Sequence, residues 1–288
     1  MAKSLRLNLS KRVRRNLRLA YYRFAKIDAI YRICRRYVMA FEGSCDTDRF
    51  TNGEFRFLQQ TQRIWNKEGS VLIDCGAHVG NWTAEVLDLA KPNEVEIHCF
   101  EPSPRNFDRL AQRGFPQNVI LNQCALGSHE GNLPLYLHPS PDQDSLYKHC
   151  ETMREAQINV PVTTIDNYCA EKGIQRVSFM KIDAEGHDFE VLKGMQSTLQ
   201  SRSIDIIQFE YGYRNVNSKV FLKDIYDYIV HFDYQLYKIR PYSLFKLDFY
   251  AHYFDDFRLS NYVLILRGVD LSVTVDQDAG LYHNFTQL

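Results

Sequence analysis

A ten-residue stretch, VLIDCGAHVG at residues 71–80, constrains the fold of this chain more than any other. Its short apolar run ends at Asp74, and two glycines, Gly76 and Gly80, follow. Asn81 then begins a run with helical spacing. This order predicts a buried strand, a tight turn and the start of a helix. Because glycine has no Cβ atom, such a turn brings its backbone close to a ligand at the edge of an open α/β sheet.

A second apolar run, residues 95–100, ends in Glu101, which is placed to accept hydrogen bonds from the two hydroxyls of a ribose. The turn matches neither the G-x-G-x-x-G of dinucleotide sites nor the G-x-x-x-x-G-K-[ST] of phosphate loops. An acidic residue before the turn, Asp74, suits a ligand with an ammonium or sulfonium group. These features together predict S-adenosylmethionine as the cofactor. A strand-to-helix turn without a ligand is the alternative.

The charges of the chain are unevenly divided. Lys plus Arg and Asp plus Glu both number 35, but residues 1–40 hold 12 of the basic side chains and one acid, Asp28. Apolar residues recur at three- and four-residue steps from Val13 to Val38, which predicts one long, basic, amphipathic helix. Such a helix could pack on the acidic body, lie on an anionic membrane through residues 11–38, or bind nucleic acid. The charge division favours the first two.

The composition, 45% hydrophobic and 24% charged, is ordinary for a globular protein. Seven cysteines without C-x-x-C spacing argue against a disulfide framework or a zinc site. No apolar run reaches the length of a membrane span, and the N-terminus lacks the apolar core of a secretory signal. We therefore expect a cytoplasmic protein with contact to a membrane surface as an option.

Strand-like and helical runs alternate after a polar junction at residues 44–52. The strand-like runs occupy residues 71–73, 95–100, 119–124, 133–137, 160–164, 177–182, 204–209, 234–240 and 261–267. This alternation predicts a mostly parallel sheet with helices on both faces and an antiparallel strand near one edge. Seven aromatic residues at 241–260 fit an acceptor-binding wall, a hydrophobic plug or an oligomer contact equally well.

Four further polar residues are candidate catalytic groups. One strand-like run ends at Asp183, with Glu185 and His187 directly after it, and the next run ends at Glu210. Carboxylates gathered at one sheet edge repel each other unless a proton or a cation is shared, so their recurrence indicates a functional site. Asp183 and His187 are candidate general bases, and Asp183 with Glu210 are candidate Mg²⁺ ligands. Helix capping by Asp183 and Glu185 is the alternative, but it leaves Glu210 unexplained.

The run KIDAEGHDFEVLKG at residues 181–194 closely resembles the K-I-D-x-E-G-x-E-x-x-V-L-x-G signature of FkbM-type S-adenosylmethionine-dependent methyltransferases. Asp188 stands where that family usually has Glu, and His187 replaces a usual small residue. Further similarities occur in family order at residues 73–80, 100–104, 125–127 and 162–166. The resemblance covers residues 50–268.

The resemblance implies an α/β class I methyltransferase (Rossmann-like) fold, a seven-stranded, mostly parallel sheet with an antiparallel last strand. The implied domains are a basic helical extension at 1–44, the methyltransferase domain at 45–270 and a tail at 271–288. The implied cofactor-binding residues are Asp74, Gly76, Ala77, His78, Gly80, Asn81, Glu101, Pro102 and Ala125.

The implied activity is methyl transfer to a hydroxyl of a sugar, glycan or glycolipid, with Mg²⁺ as an optional second cofactor. A small metabolite or RNA as the acceptor, and a catalytically silent cofactor-binding scaffold, are the alternatives.

Overall fold

The structure is a computed structural model that describes residues 11–24, 27–91, 94–148, 156–271 and 273–276. Its strands are β1 (Ser70–Cys75), β2 (Val95–Phe100), β3 (Val119–Asn122), β4 (Ala125–Leu126), β5 (Gly131–Leu137), β6 (Ala156–Thr163), β7 (Phe179–Ile182), β8 (Ile206–Tyr211), β9 (Tyr234–Ile239), β10 (Leu244–Lys246), β11 (Ser260–Leu266) and β12 (Val275–Asp276).

Its α-helices are α1 (Lys11–Phe24), α2 (Asp28–Glu42), α3 (Glu54–Gln60), α4 (Gln62–Trp65), α5 (Asn81–Leu89), α6 (Pro104–Ala111), α7 (Ile165–Lys172), α8 (Asp188–Lys193), α9 (Gln196–Gln200), α10 (Asn215–Ser218) and α11 (Leu222–Ile229). Short 3₁₀ turns occupy Pro141–Gln143 and His252–Phe254.

The main sheet has the strand order β12-β10-β9-β11-β8-β7-β1-β2-β3. Strands β3, β2, β1, β7 and β8 pair in parallel, whereas β11 runs antiparallel to both of its neighbours, β8 and β9. The seven neighbouring strands β9, β11, β8, β7, β1, β2 and β3 therefore confirm the predicted mostly parallel sheet. The antiparallel last strand of the prediction is β11.

Three short strands were not predicted. Strands β10 and β12 extend the main sheet, and β4 joins β5 and β6 in a separate three-stranded sheet. Segments of two or three residues are too short to show the alternation of apolar and polar side chains that marks a strand in a sequence. Strand β12 lies within the predicted tail, and residues 277–288 of that tail are outside the described residues.

Each face of the central strands packs against a hydrophobic core. One face carries the strand residues Leu72, Phe179 and Ile206 into a core cluster shared with α3, α4 and α5. Successive side chains of a strand point to opposite faces, so residues two positions further along project from the same face. Asp74, Lys181 and Gln208 stand in those positions. These three polar side chains therefore lie side by side on this face, near the carboxyl edge of the sheet.

The N-terminal extension forms two helices, so the prediction of one continuous helix is wrong. Ile27 has an extended backbone between α1 and α2, with φ −93° and ψ 98°. Asp28 begins α2, where a negative charge stabilises the start of a helix. Helix α2 buries none of its residues, so most of its apolar stripe is exposed, although Phe41 at its C-terminal end contacts Arg240 of the body. Within the described residues, every helix is too short or too polar to cross a bilayer.

The aromatic segment at residues 241–260 serves largely as a plug. Phe245 is buried in the core, and Phe254 and Phe257 pack partly buried against the same cluster. Tyr242 is 86% exposed and contributes nothing to that packing.

Candidate active site

The turn after β1 is shaped by close backbone contacts. Gly76 has φ +79°, a conformation that residues with a Cβ rarely adopt. A Cβ atom at Gly76 would lie 1.9 Å from the carbonyl oxygen of Asp183, which follows the neighbouring strand β7. The amides of Gly76 and Ala77 both donate to the carbonyl of Phe100, at 2.9 and 3.0 Å. The turn is therefore clamped between the ends of β2 and β7.

Glu101, directly after β2, is a buried carboxylate at the edge of this turn. Only 5% of the residue is exposed. Its Oε2 accepts the amide N–H of His78 at 2.8 Å, and its Oε1 accepts that of Ser103 at 2.9 Å. Burial nevertheless raises the pKa of Glu101 to about 7. Each oxygen keeps a further lone pair, so the group can accept two more hydrogen bonds from a ligand.

A cavity of about 340 Å³ opens beside Glu101. Its volume lies in the range of small-molecule sites. Eight of the predicted site residues line it, and these are Gly76, His78, Glu101, Pro102, Ala125, Asp183, Glu185 and Glu210. The predicted cofactor turn and the predicted acidic cluster thus line one cavity, at the C-terminal ends of β1, β2, β7 and β8.

Five predicted site residues do not line this cavity. Asp74, Ala77, Gly80, Asn81 and His187 lie outside its lining. Asp74 projects from the face of β1 that packs on α5, where its Oδ2 accepts the hydroxyl of Thr83 at 2.6 Å. Gly80 precedes α5 with φ +78°, and a Cβ there would come within 2.8 Å of the Phe115 ring. Both residues stabilise the turn without lining the cavity.

His187 faces a second cavity of about 260 Å³. The residue is 5% exposed, and its two ring nitrogens have no hydrogen-bond partner among the described residues. Burial lowers the pKa of His187 to about 4, so the ring is neutral at physiological pH. The structure does not bring this histidine to the cavity that Asp183 lines.

Lys181 and Asp183 form a strong ion pair at the carboxyl end of β7. The ammonium donates to Asp183 Oδ2 at 2.7 Å, and Lys181 is 8% exposed. Although burial alone would raise the pKa of Asp183, Lys181 and then Arg214 more than offset it and leave that pKa below its usual value. About 30% of the Asp183 side chain is exposed, and the residue lines the cavity. Asp183 is therefore an ionised acceptor at neutral pH.

Two further carboxylates of the cavity, Glu185 and Glu210, have the opposite tendency. Glu185, which has the unusual φ of +54°, forms an ion pair with Arg214. Burial and the charge of Asp183 raise the pKa of Glu185 despite this partner. Burial and the charge of Asp183 also raise the pKa of Glu210 well above its usual range. The cluster thus holds at least one proton near neutral pH, as like charges at close range require.

Asp183 and Glu185 do not cap helix α8, so helix capping does not account for their acidic side chains. The helix begins at Asp188, and no side chain caps its first turn. Asp188 itself is buried and accepts the backbone amides of Gly186 and Glu210, at 3.2 and 3.3 Å. The structural carboxylate of this segment is therefore Asp188.

The sequence prediction missed Lys181, which pairs with Asp183 without lining the cavity itself, and five residues that do line the cavity. Lys181 stood in the quoted signature without a role, although its position two residues before Asp183 on a strand places it on a shared face. Glu54, Thr47, Ser145, Tyr213 and Arg214 line the cavity but come from four separate segments. Nothing in the local sequence marks these five, because only the folded chain brings them together.

Comparison with known proteins identifies the family. Residues 74–236, more than half of the chain, match the profile described as "Methyltransferase FkbM domain". The chain belongs to the FkbM methyltransferase family. It is 30% identical over 148 residues to the hexuronic acid methyltransferase AglP of Haloferax volcanii, a match covering 51% of this chain and 58% of that protein.

A second relative is the 2-O-methyltransferase NoeI of Sinorhizobium fredii, 23% identical over 158 residues, with 49% of this chain and 63% of that protein covered. The chain thus spans less than two thirds of the length of either relative. A solved FkbM methyltransferase from Methylobacillus flagellatus is similar at 17% identity, with a TM-score of 0.44 over 79% of this chain and 59% of the other.

The described residues contain no group of three or more His, Cys, Asp or Glu side chains arranged to hold a metal ion. The positive charge beside Asp183 is instead that of Lys181.

Proposed function

We propose that this protein is an S-adenosylmethionine-dependent methyltransferase whose acceptor is a hydroxyl group of a carbohydrate. Membership of the FkbM family supports the reaction class. The carbohydrate is supported by the name of one relative, a hexuronic acid methyltransferase. The observation that carries the proposal is the single cavity with Glu101 at one side and an ionised Asp183 at the other.

The chemistry of the cavity suits the nucleoside part of the cofactor. Glu101 is a buried carboxylate whose ionised form lacks solvation, which is why its pKa is raised. Two ribose hydroxyls would supply the donors that this carboxylate lacks. Ala125, with Leu126 and Leu135, provides an apolar wall at the side where the adenine would lie.

Asp183 is the proposed general base. S-adenosylmethionine supplies an electrophilic methyl group when it is bound. The hydroxyl of the acceptor becomes a competent nucleophile as it loses its proton, and Asp183 is an ionised carboxylate of the cavity lining that can take this proton. Lys181 keeps Asp183 charged and fixes its orientation through the 2.7 Å hydrogen bond. General base catalysis of this kind contributes about 10²- to 10⁴-fold to a rate.

Glu210 and Glu185 are the proposed orienting groups. A carboxyl that keeps its proton at neutral pH donates a hydrogen bond as well as accepting one. A sugar offers neighbouring hydroxyls that match such paired donors and acceptors. Holding the acceptor in line with the transferred methyl accounts for much of the acceleration in a displacement of this kind.

The predicted Mg²⁺ site at Asp183 and Glu210 is a competing version of the same proposal. A divalent cation would replace the general base, because a bound cation lowers the pKa of the acceptor hydroxyl. Lys181 already occupies one oxygen of Asp183, which favours the base over the metal.

The test is transfer of a tritiated methyl group from S-adenosylmethionine to hexuronic acids and neutral sugars, with and without EDTA. Asp183→Asn should lower turnover at least 100-fold, about the contribution of a general base, while cofactor affinity stays within a few-fold. Asp108→Asn removes an exposed carboxylate and is the matched control.

Full activity in EDTA would exclude the metal version. If the Asp183→Asn variant turns over as fast as the wild type, Asp183 is not the general base. Tight cofactor binding without transfer to any hydroxyl would instead favour the silent scaffold.

A further inference from the structure

Helix α2 presents an apolar face that the described part of the chain leaves largely uncovered. At its C-terminal end Phe41 contacts the body, where the Arg240 guanidinium lies 5.1 Å from the centre of its ring. Six of its large apolar side chains, Ile30, Tyr31, Ile33, Tyr37, Val38 and Phe41, are 40–70% exposed. Exposed apolar surface of this extent on a globular protein marks a site of interaction. Helix α1 repeats the pattern, with Val13 at 42% and Leu17 at 52% exposed.

The opposite face of α2 is basic. At 3.6 residues per turn, Ile30, Ile33, Tyr37 and Phe41 fall within an arc of about 80°. Arg32, Arg35 and Arg36 occupy the other side of the same helix. Arg32 pairs with Asp28 at 3.1 Å. Arg35 and Arg36 form no ion pair with any described residue, so their charges are available to an anionic partner.

The C-terminal end of α2 is fixed to the body beside the cavity. Glu42 lies 3.6 Å from the Lys238 ammonium, and the amide of Cys45 donates to the carbonyl of Leu259 at 2.7 Å. Leu259 and Thr47 both line the cavity. Thr47 lies five residues after Glu42, so their Cα atoms are at most about 18 Å apart. Whatever surface α2 binds therefore lies close to the opening of the cavity.

We propose that α1 and α2 form a peripheral anchor for anionic lipid bilayers. A bilayer interface suits both faces of these helices. The apolar side chains would enter the boundary of the acyl chains, and the arginines would bind lipid phosphates. Nucleic acid would leave the apolar face in water. A second copy of the chain would bring two arginine-rich helices together at a cost in repulsion. The anchor is independent of the proposed methyl transfer, and it brings the cavity to acceptors carried by membrane lipids.

Sedimentation of the full-length protein with vesicles tests the anchor. Wild type should sediment with phosphatidylserine-containing vesicles at low salt, and far less with pure phosphatidylcholine or at high salt. Ile33→Asp combined with Tyr37→Asp should abolish sedimentation. Arg35→Gln combined with Arg36→Gln should weaken binding about thirty-fold, from two arginines near an anionic surface. Lys67→Gln combined with Arg109→Gln, which removes two exposed charges elsewhere, is the matched control and should bind as wild type does.

The proposal is overturned if wild type fails to sediment with anionic vesicles, or if the Ile33→Asp, Tyr37→Asp variant sediments equally well. A dimer of the wild type that this variant dissociates, seen by light scattering without lipid, would assign the face to a second copy instead. Calorimetric titration with S-adenosylmethionine in every variant shows that the cavity is intact, so failure of the anchor and failure of the cofactor site give different results.

Discussion

Protonation of Glu101 should control the affinity for S-adenosylmethionine. The carboxylate is 5% exposed and, because of burial, has a pKa of about 7. If the ribose hydroxyls bind the ionised form, acidification below this pKa replaces the charged acceptor with a neutral carboxyl. The proton must then be released before the ligand binds, so affinity falls as pH falls.

The size of the effect follows from the pKa. At pH 8 about nine tenths of Glu101 is ionised, and at pH 6 about one tenth, so the dissociation constant should rise about tenfold between the two. Replacement by Gln removes a charge-assisted acceptor worth about 1.5–3 kcal/mol, or about ten- to 150-fold in affinity. Glu101→Gln should therefore bind weakly at both pH values.

Isothermal titration calorimetry measures both quantities. At pH 6 the wild type should also release close to one proton on binding, seen as a heat that depends on the ionisation enthalpy of the buffer. Glu101→Gln should show neither the pH dependence nor that proton release, and its melting temperature checks the fold. Affinity that is the same at pH 6 and pH 8 in the wild type, or an equal pH dependence in the variant, would refute the ribose assignment.

Two further predictions concern the neighbouring charged residues. Lys181→Met should lower the free energy of unfolding by about 3 kcal/mol in urea titrations, because it leaves the buried carboxylate of Asp74 and the partly exposed carboxylate of Asp183 without their cation. The loss should be larger at pH 8 than at pH 5, since carboxylates without their cation have raised pKa values and destabilise the fold as pH rises through them. If the variant is as stable as the wild type at pH 8, the ion pair does not stabilise the fold. His187→Ala should keep turnover within a few-fold, because the imidazole lies in a separate cavity. A loss as deep as that of Asp183→Asn in the methyl-transfer assay would restore His187 as a base.

The turn and the acidic strand ends could be predicted because their signals are local. Asp74, Glu101 and Asp183 each follow directly after an apolar run, and parallel strands present their carboxyl ends at one edge. The mostly parallel sheet with helices on both faces followed from the alternation of strand-like and helical runs. Short strands such as β10 and β12 could not be predicted, because pairing with β9 and with each other creates them.

The sequence by itself determined the family and the edge of the sheet at which the candidate site lies. It could not say which acidic residues face the cavity, because the direction of a side chain at a strand end depends on strand phase and on the helices packed above it. Asp74 turned to Thr83, and His187 turned into a second cavity. Only the tertiary structure placed Lys181 against Asp183 and Arg214 against Glu185, and those contacts set which carboxyl is ionised. Protonation depends on burial and on partners distant in the chain, and both exist only once the chain has folded.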